Sequence, residues 1–197
     1  GLWMGSWAMH WLSTRLDAAG FDTHSLDLKS VSDSPEVHVS RLAQLIEKLE
    51  SSRIHLLGHS LGGVVILRYL RTARDKRLGR AVLLGAPALG SMAARQLNRQ
   101  LWGGVLGASR EMWLAPFPEK VEGHVEVGAI AGEHAFGLGI FFATIAEPND
   151  GAVAVAETRI PGLRDHIVLP VSHTAMLISG EVADQSAAFF RNGSFAR

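Results

Sequence analysis

Residues 53–67 read Arg53-Ile54-His55-Leu56-Leu57-Gly58-His59-Ser60-Leu61-Gly62-Gly63-Val64-Val65-Ile66-Leu67. The first half, 53–57, is an apolar run of strand length that ends in a glycine, and the run from Leu61 to Thr72 has helical spacing with no linker before it. A strand that becomes a helix within three residues needs a sharp backbone turn. Ser60 stands at the apex of that turn. Gly58 and Gly62, two residues either side, remove the Cβ atoms that would keep strand and helix apart, and Gly63 extends the close packing by one position. Such a turn lifts the serine hydroxyl above the end of its strand. The plain alternative is a serine that caps a helix beside a glycine-rich turn.

On the amino-terminal side, apolar residues recur at helical spacing over 3–19, with Trp7, Trp11 and Leu12 on one side and Gly20 as a C-cap. Trp3, Trp7 and Trp11 are expected to form a buried helix face rather than a substrate platform. Residues 21–28 alternate apolar and polar and predict a short strand. A Ser/Asp/Pro cluster then leads into a helix over 36–50, whose buried face is Leu42, Leu45, Ile46 and Leu49. On the carboxyl-terminal side, strands are expected at 80–84, 125–130 and 166–169, and helices at 91–102 and 181–190. Strands alternating with helices through short, glycine-punctuated loops predict an α/β protein whose mostly parallel sheet is covered on both faces. In such sheets reactive groups collect at the carboxyl ends of the strands.

A serine hydroxyl is a weak nucleophile at neutral pH and needs a base, itself oriented by a third group. Asp150 lies in the turn Glu147-Pro148-Asn149-Asp150-Gly151, and His173 lies just past the last strand, before Thr174-Ala175-Met176-Leu177. The candidate set is therefore Ser60, Asp150 and His173. His166 is the rival base, and Glu147 and Asp165 are the rival acids. Asp165 reads as a surface or turn residue. His55 sits inside a strand and His59 is the variable residue of the serine turn. His10, His24 and His38 precede the serine, and His124 and His134 flank a strand.

The composition narrows the function. The 197 residues are 47% apolar and 19% charged, enough for one globular domain with a sizeable core and too apolar for disorder. Nineteen basic and nineteen acidic residues give a net charge of +0, so no broad footprint for nucleic acid or anionic membrane exists. With no cysteine there is no disulfide framework, thiolate nucleophile or Cys-based zinc site. The histidines lack His-Glu-x-x-His spacing, so no metal is expected. Gly137-Leu138-Gly139 lacks the third glycine and acidic partner of a dinucleotide fingerprint, and no phosphate-binding loop occurs, so no cofactor is expected. The apolar run 135–146 falls short of the roughly 20 residues of a spanning helix and reads as buried core or pocket wall. No signal-peptide pattern opens the chain, so the expected location is cytoplasmic, with no integral membrane segment. The sequence begins at Gly1, which raises processing, trimming or a fragment and leaves open a lost targeting segment. Oligomeric state is not readable.

Four blocks together carry a resemblance: Gly58-His59-Ser60-Leu61-Gly62-Gly63, Gly85-Ala86-Pro87-Ala88-Leu89-Gly90-Ser91, Asn149-Asp150-Gly151, and Val171-Ser172-His173-Thr174-Ala175-Met176-Leu177. The chain resembles a small bacterial α/β-hydrolase of the esterase and triacylglycerol-lipase kind, over nearly its whole length. The order Ser60, Asp150, His173 is the order that this arrangement requires. The resemblance implies Ser60 as nucleophile, His173 as general base then acid, and Asp150 as the group that orients His173. It implies a small-molecule ester or lipid substrate and no cofactor, although relatives also carry out acyl transfer, amide cleavage or perhydrolysis.

In that family an apolar strand ending in His-Gly precedes a stretch like Leu2-Trp3-Met4-Gly5-Ser6-Trp7, and the residue after the glycine donates an N–H to the oxyanion hole. By resemblance Gly1 is that glycine and Leu2 that donor, with Leu61 as the second. The missing strand would be a central one, between residues 21–28 and 53–57. A truncated chain is therefore expected. The domain is expected to span 1–197 with a small lid at 87–124, where Leu101, Trp102, Met112, Trp113, Leu114 and Phe117 suit an apolar acyl chain or ordinary core packing. The leading function is a serine ester hydrolase working through an acyl-enzyme. The alternatives are a non-catalytic binding protein on the same fold and an acyltransferase using the same residues.

Overall fold

The computed structural model describes residues 9–29, 32–91, 95, 108, 110–114, 123–136 and 148–197. In chain order the elements are α1 (His10–Ala18), α2 (Pro35–Lys48), β1 (Ile54–His59), α3 (Leu61–Leu70), β2 (Leu78–Leu84), α4 (Arg110–Leu114), β3 (Glu126–Gly132), β4 (Asp165–Leu169) and α5 (Gly180–Asn192). The four strands form one sheet in the order β1-β2-β3-β4, and every neighbouring pair is parallel.

Period-two alternation divides the strand side chains between two cores. Leu56, Ala81, Leu83, Val127 and Ala129 face α2, α3 and α4. Val82, Leu84, Ile130 and Leu169 face α1 and α5. Helix α3 lies deepest. Its Val64, Val65, Ile66 and Leu67 are at most 4% exposed, because the helix is closed in by the sheet on one side and by α2 and α4 on the other. A helix apolar all round belongs in such a place, and each of these side chains contributes about 1.5–3 kcal/mol by leaving water. The expected α/β class with helices on both faces is thus found.

Three expectations are corrected. Residues 21–28 do not form a strand: they run without regular secondary structure, and among the described residues β1 is the edge strand on that side. A strand needs a hydrogen-bonding neighbour, and here a groove of about 480 Å³ separates the segment from β1. Leu12 and Leu16 of α1 and Leu42 and Ile46 of α2 help line the groove, together with Phe21, Leu26 and Leu28. The alternation in 21–28 therefore marks an apolar wall, not a paired strand. Second, Trp11 does not share a buried face with Leu12. Leu12 is fully buried, whereas Trp11 is 38% exposed with the Arg15 guanidinium over its ring; Trp3 and Trp7 lie outside the described residues. Third, the run 135–146 is not uniformly buried, since Phe136 is 77% exposed; residues 137–146 lie outside the described residues. Most of the expected helix at 91–102, and Leu101, Trp102 and Phe117 of the expected lid, also lie outside them. Met112 of that interval is fully buried in the core under α3.

Candidate active site

Because all four strands are parallel, their carboxyl ends lie at one edge of the sheet. The loops there carry Ser60 after β1, Gly85 after β2, Gly132 at the end of β3 and His173 after β4. Ser60 has φ 55° and ψ −122°, and among the described residues it is the one non-glycine with positive φ. Holding such a conformation costs about 1–3 kcal/mol, so the surroundings must enforce it. The Ser60 N–H donates to the Leu84 carbonyl at 2.8 Å, and the Ser60 carbonyl accepts the Gly63 N–H at 3.0 Å.

The glycines explain how strand and helix fit. A Cβ on Gly58 would lie 2.6 Å from the backbone of Gly62 and Gly63, and one on Gly63 would lie 2.5 Å from Ala86 Cβ. Gly62 is different: among the described residues a Cβ there meets only Leu28 Cδ1, at 4.0 Å. Among the described residues, close packing at the turn is therefore the work of Gly58 and Gly63. Leu61 begins α3, where a backbone N–H has no intrahelical acceptor and is free to receive a ligand oxygen. Leu2, the other expected donor, lies outside the described residues.

Asp150 is 1% exposed and its carboxylate is fully engaged. Oδ1 accepts the N–H groups of Ala152 and Val153 at 2.9 and 2.8 Å, and Oδ2 accepts His173 Nδ1–H at 2.8 Å. The loop is tightened by Asn149, whose Oδ1 accepts the Gly151 N–H, while Gly151 turns the chain at φ +96°. With Nδ1 bound to the carboxylate, the imidazole presents Nε2 as a proton acceptor, the tautomer a general base requires. Among the described residues no hydrogen bond joins Ser60 Oγ to His173, whose ring is held instead through Nδ1 by Asp150.

His59 forms a link between the serine turn and His173. It is 4% exposed, its Nε2–H donates to the His173 carbonyl at 2.9 Å, and the two imidazole rings lie 4.5 Å apart at 45°. Burial, and then the neighbouring His173, hold its pKa well below the usual 6.5, so the ring is neutral. Two further glycines were not singled out from the sequence as making room for Asp150 and His173. A Cβ on Gly85 (φ +50°) would fall 2.8 Å from Asp150 Oδ2 and 3.1 Å from His173 Nδ1. One on Gly132 would fall 2.3 Å from the Val171 carbonyl and 2.8 Å from Asp150 Cβ. Gly85 opens the Gly-Ala-Pro block, which was its only signal in the sequence, and Gly132 lies two residues past the strand expected at 125–130 and had none.

The rivals occupy other places. His166 is on β4 with Nε2 2.8 Å from Thr158 Oγ1, and burial lowers its pKa to about 4. Asp165 is no surface residue: it accepts the N–H groups of His166 and Phe195 and pairs with Arg197 at 2.6 Å, closing the carboxyl terminus onto β4. Glu147 lies outside the described residues.

The sequence profile described as the alpha/beta hydrolase family matches residues 1–191. The chain belongs to that family. Within it, this hydrolase-family chain is similar in structure to the mature lipase of Bacillus licheniformis, with a TM-score of 0.79 at 18% identity, covering 97% of this chain and 88% of the lipase. It is also similar to a pyrethroid hydrolase (TM-score 0.64, 16% identity, 96% and 94% of the two chains). A methylesterase of Arabidopsis gives a TM-score of 0.56 at 21% identity over 96% and 93%. These likenesses establish the shared hydrolase fold. No curated protein matches the chain significantly. Among the described residues no group of three or more His, Cys, Asp or Glu side chains is placed to hold a metal ion, and no helix is long and apolar enough to cross a membrane.

Proposed function

We propose that this alpha/beta hydrolase cleaves carboxylic esters through an acyl-enzyme on Ser60. The observation that carries the reading is the Asp150–His173 pair, bonded at 2.8 Å, with the His173 ring centre 4.5 Å from that of His59, the residue that precedes Ser60 in the chain. His173 Nε2 takes the Ser60 Oγ proton as the oxygen attacks the ester carbonyl. The resulting oxyanion is met by the Leu61 N–H and, on the resemblance, by the Leu2 N–H; each such donor is worth about 10²–10³ in turnover. Collapse of the tetrahedral species expels the alcohol, which leaves with the proton held by His173. A water molecule, deprotonated by the same imidazole, then releases the acid and restores Ser60. Asp150 stabilises the imidazolium in both halves and fixes its tautomer.

An apolar acyl group is the proposed substrate class, on the aliphatic and aromatic residue types of the 87–124 interval, and that interval is the proposed lid. The experiment is labelling with a fluorophosphonate. Labelling that disappears in Ser60→Ala supports the enzyme. A folded protein that does not label is a binding module on a hydrolase fold, and a labelled protein that consumes ester only with an added alcohol is an acyltransferase.

A further inference from the structure

His173 is held at three points. Its N–H donates to the Asp150 carbonyl at 2.8 Å, its Nδ1–H donates to Asp150 Oδ2 at 2.8 Å, and its carbonyl accepts His59 Nε2–H at 2.9 Å. The first two tie the base to the acid loop, and Gly132 at the end of β3 leaves room for Asp150 Cβ and the Val171 carbonyl. Only the third ties it to β1, the strand that delivers Ser60. Asp150 alone sets the orientation and tautomer of the imidazole but leaves its distance from the β1 turn to the packing of the 171–174 loop.

We propose that His59 is a positioning residue, which fixes the distance between base and nucleophile by donating Nε2–H to the His173 carbonyl while its ring supports the His173 ring. This rests on the assignment of Ser60 and His173 made above. Histidine suits the position on three counts. Its ring reaches the carbonyl from the residue next to Ser60, so any shift of the turn carries the base along. Its ring centre lies 4.5 Å from that of His173 with the planes inclined at 45°, which limits how far the His173 ring can move toward β1. Being buried, it stays neutral, so it adds no like charge beside His173 when that ring takes up the serine proton. A lysine or arginine donor here would place a cation against the imidazolium.

The test compares the wild type with His59→Phe, His59→Leu and His59→Gln in fluorophosphonate labelling and in hydrolysis of p-nitrophenyl butyrate, with thermal melting to confirm folding. Phe and Leu keep bulk and lose the donor, whereas the Gln amide N–H restores a donor at a similar reach. A displacement near 1 Å costs about 10² in rate, so His59→Phe or His59→Leu is expected to lower kcat and the labelling rate by about 10- to 100-fold with KM changed by less than about 3-fold. His59→Gln is expected to recover most of the loss. If one apolar variant fails to fold, the other is read in its place. Equal losses in Gln and in the apolar variants, or a loss that appears in melting temperature while kcat is unchanged, overturn the proposal and leave Ser60 and His173 standing. A wild-type protein that does not label overturns the catalytic reading, and the proposal with it.

Discussion

Asp150 grips His173 at both the backbone and the ring: its carbonyl accepts the His173 N–H and its carboxylate accepts Nδ1–H, each at 2.8 Å. The acid and base loops are thereby one unit, although 23 positions separate them in the chain. Two bonds to one residue restrain the imidazole plane as well as its place, and the acid is itself restrained by the amides of Ala152 and Val153.

Residues that act as a unit give losses that do not add. Ser60→Ala and His173→Ala are each expected to remove nearly all esterase activity, and the double variant to be scarcely worse, when kcat is measured against the uncatalysed rate. Additive losses would show that the two side chains work independently.

Asp150→Asn tests the orienting role. An asparagine can still accept the Ala152 and Val153 amides through its oxygen but then turns an NH2 toward Nδ1, which favours the wrong imidazole tautomer. The expected result is a fall in kcat of about 10³- to 10⁴-fold with a change in stability of only about 1 kcal/mol. A tenfold fall or less would transfer the role to another carboxylate.

Gly85→Ala places a methyl 2.8 Å from Asp150 Oδ2 at a backbone φ of +50°. Both the strained φ and the collision act against the folded site. Stability is expected to drop by about 1–3 kcal/mol in urea denaturation. Activity is expected to fall further than the same loss would cause at a distant position, because the displaced atoms are those of the acid and base. A variant with wild-type kcat would mean that the loop after β2 can move away without disturbing the pair.

Burial lowers the pKa of His55 and of His166 to about 4, from 6.5 in an unfolded chain. Above pH 6.5 neither state binds the proton. As pH falls from 6.5 toward 4 the unfolded chain takes up protons that the folded protein refuses, so stability declines over that window and the contribution of these groups levels off below it. Urea midpoints at pH 7, 5.5 and 4.5 are expected to fall in that order, and His166→Gln to flatten the slope. A midpoint independent of pH in that range would contradict both depressed values.

The serine turn was legible because its signal is local. An apolar run, a glycine, a serine and a helical run describe a chain reversal whose sterics are contained in fifteen residues, and the structure places β1, Ser60 and α3 accordingly. The Asp150 turn was legible for a similar reason, since Asn149, Asp150 and Gly151 each have a turn-forming role that needs no distant partner. Phe21 to Leu28 misled because alternation shows only that one side of a segment is apolar. Whether it pairs depends on what lies beside it. Trp11 misled similarly: helical spacing groups it with Trp7, but the packed face of α1 is set by where α5 and the sheet stand, and that face is Leu12 and Leu16.

Periodicity and glycine placement by themselves determined the α/β class and the strand-turn-helix that carries Ser60, because each follows from near-neighbour sterics and hydrophobic spacing, and turn chemistry with residue order narrowed the acid and the base to a few candidates. Only the tertiary structure decided that His173 rather than His166 faces Asp150, that His59 reaches the His173 carbonyl, that Gly85 and Gly132 vacate the room the pair occupies, and that a groove separates residues 21–28 from β1. Those are contacts between segments far apart in the chain, fixed by the parallel register of the sheet and the volume its loops must share. No local pattern encodes them.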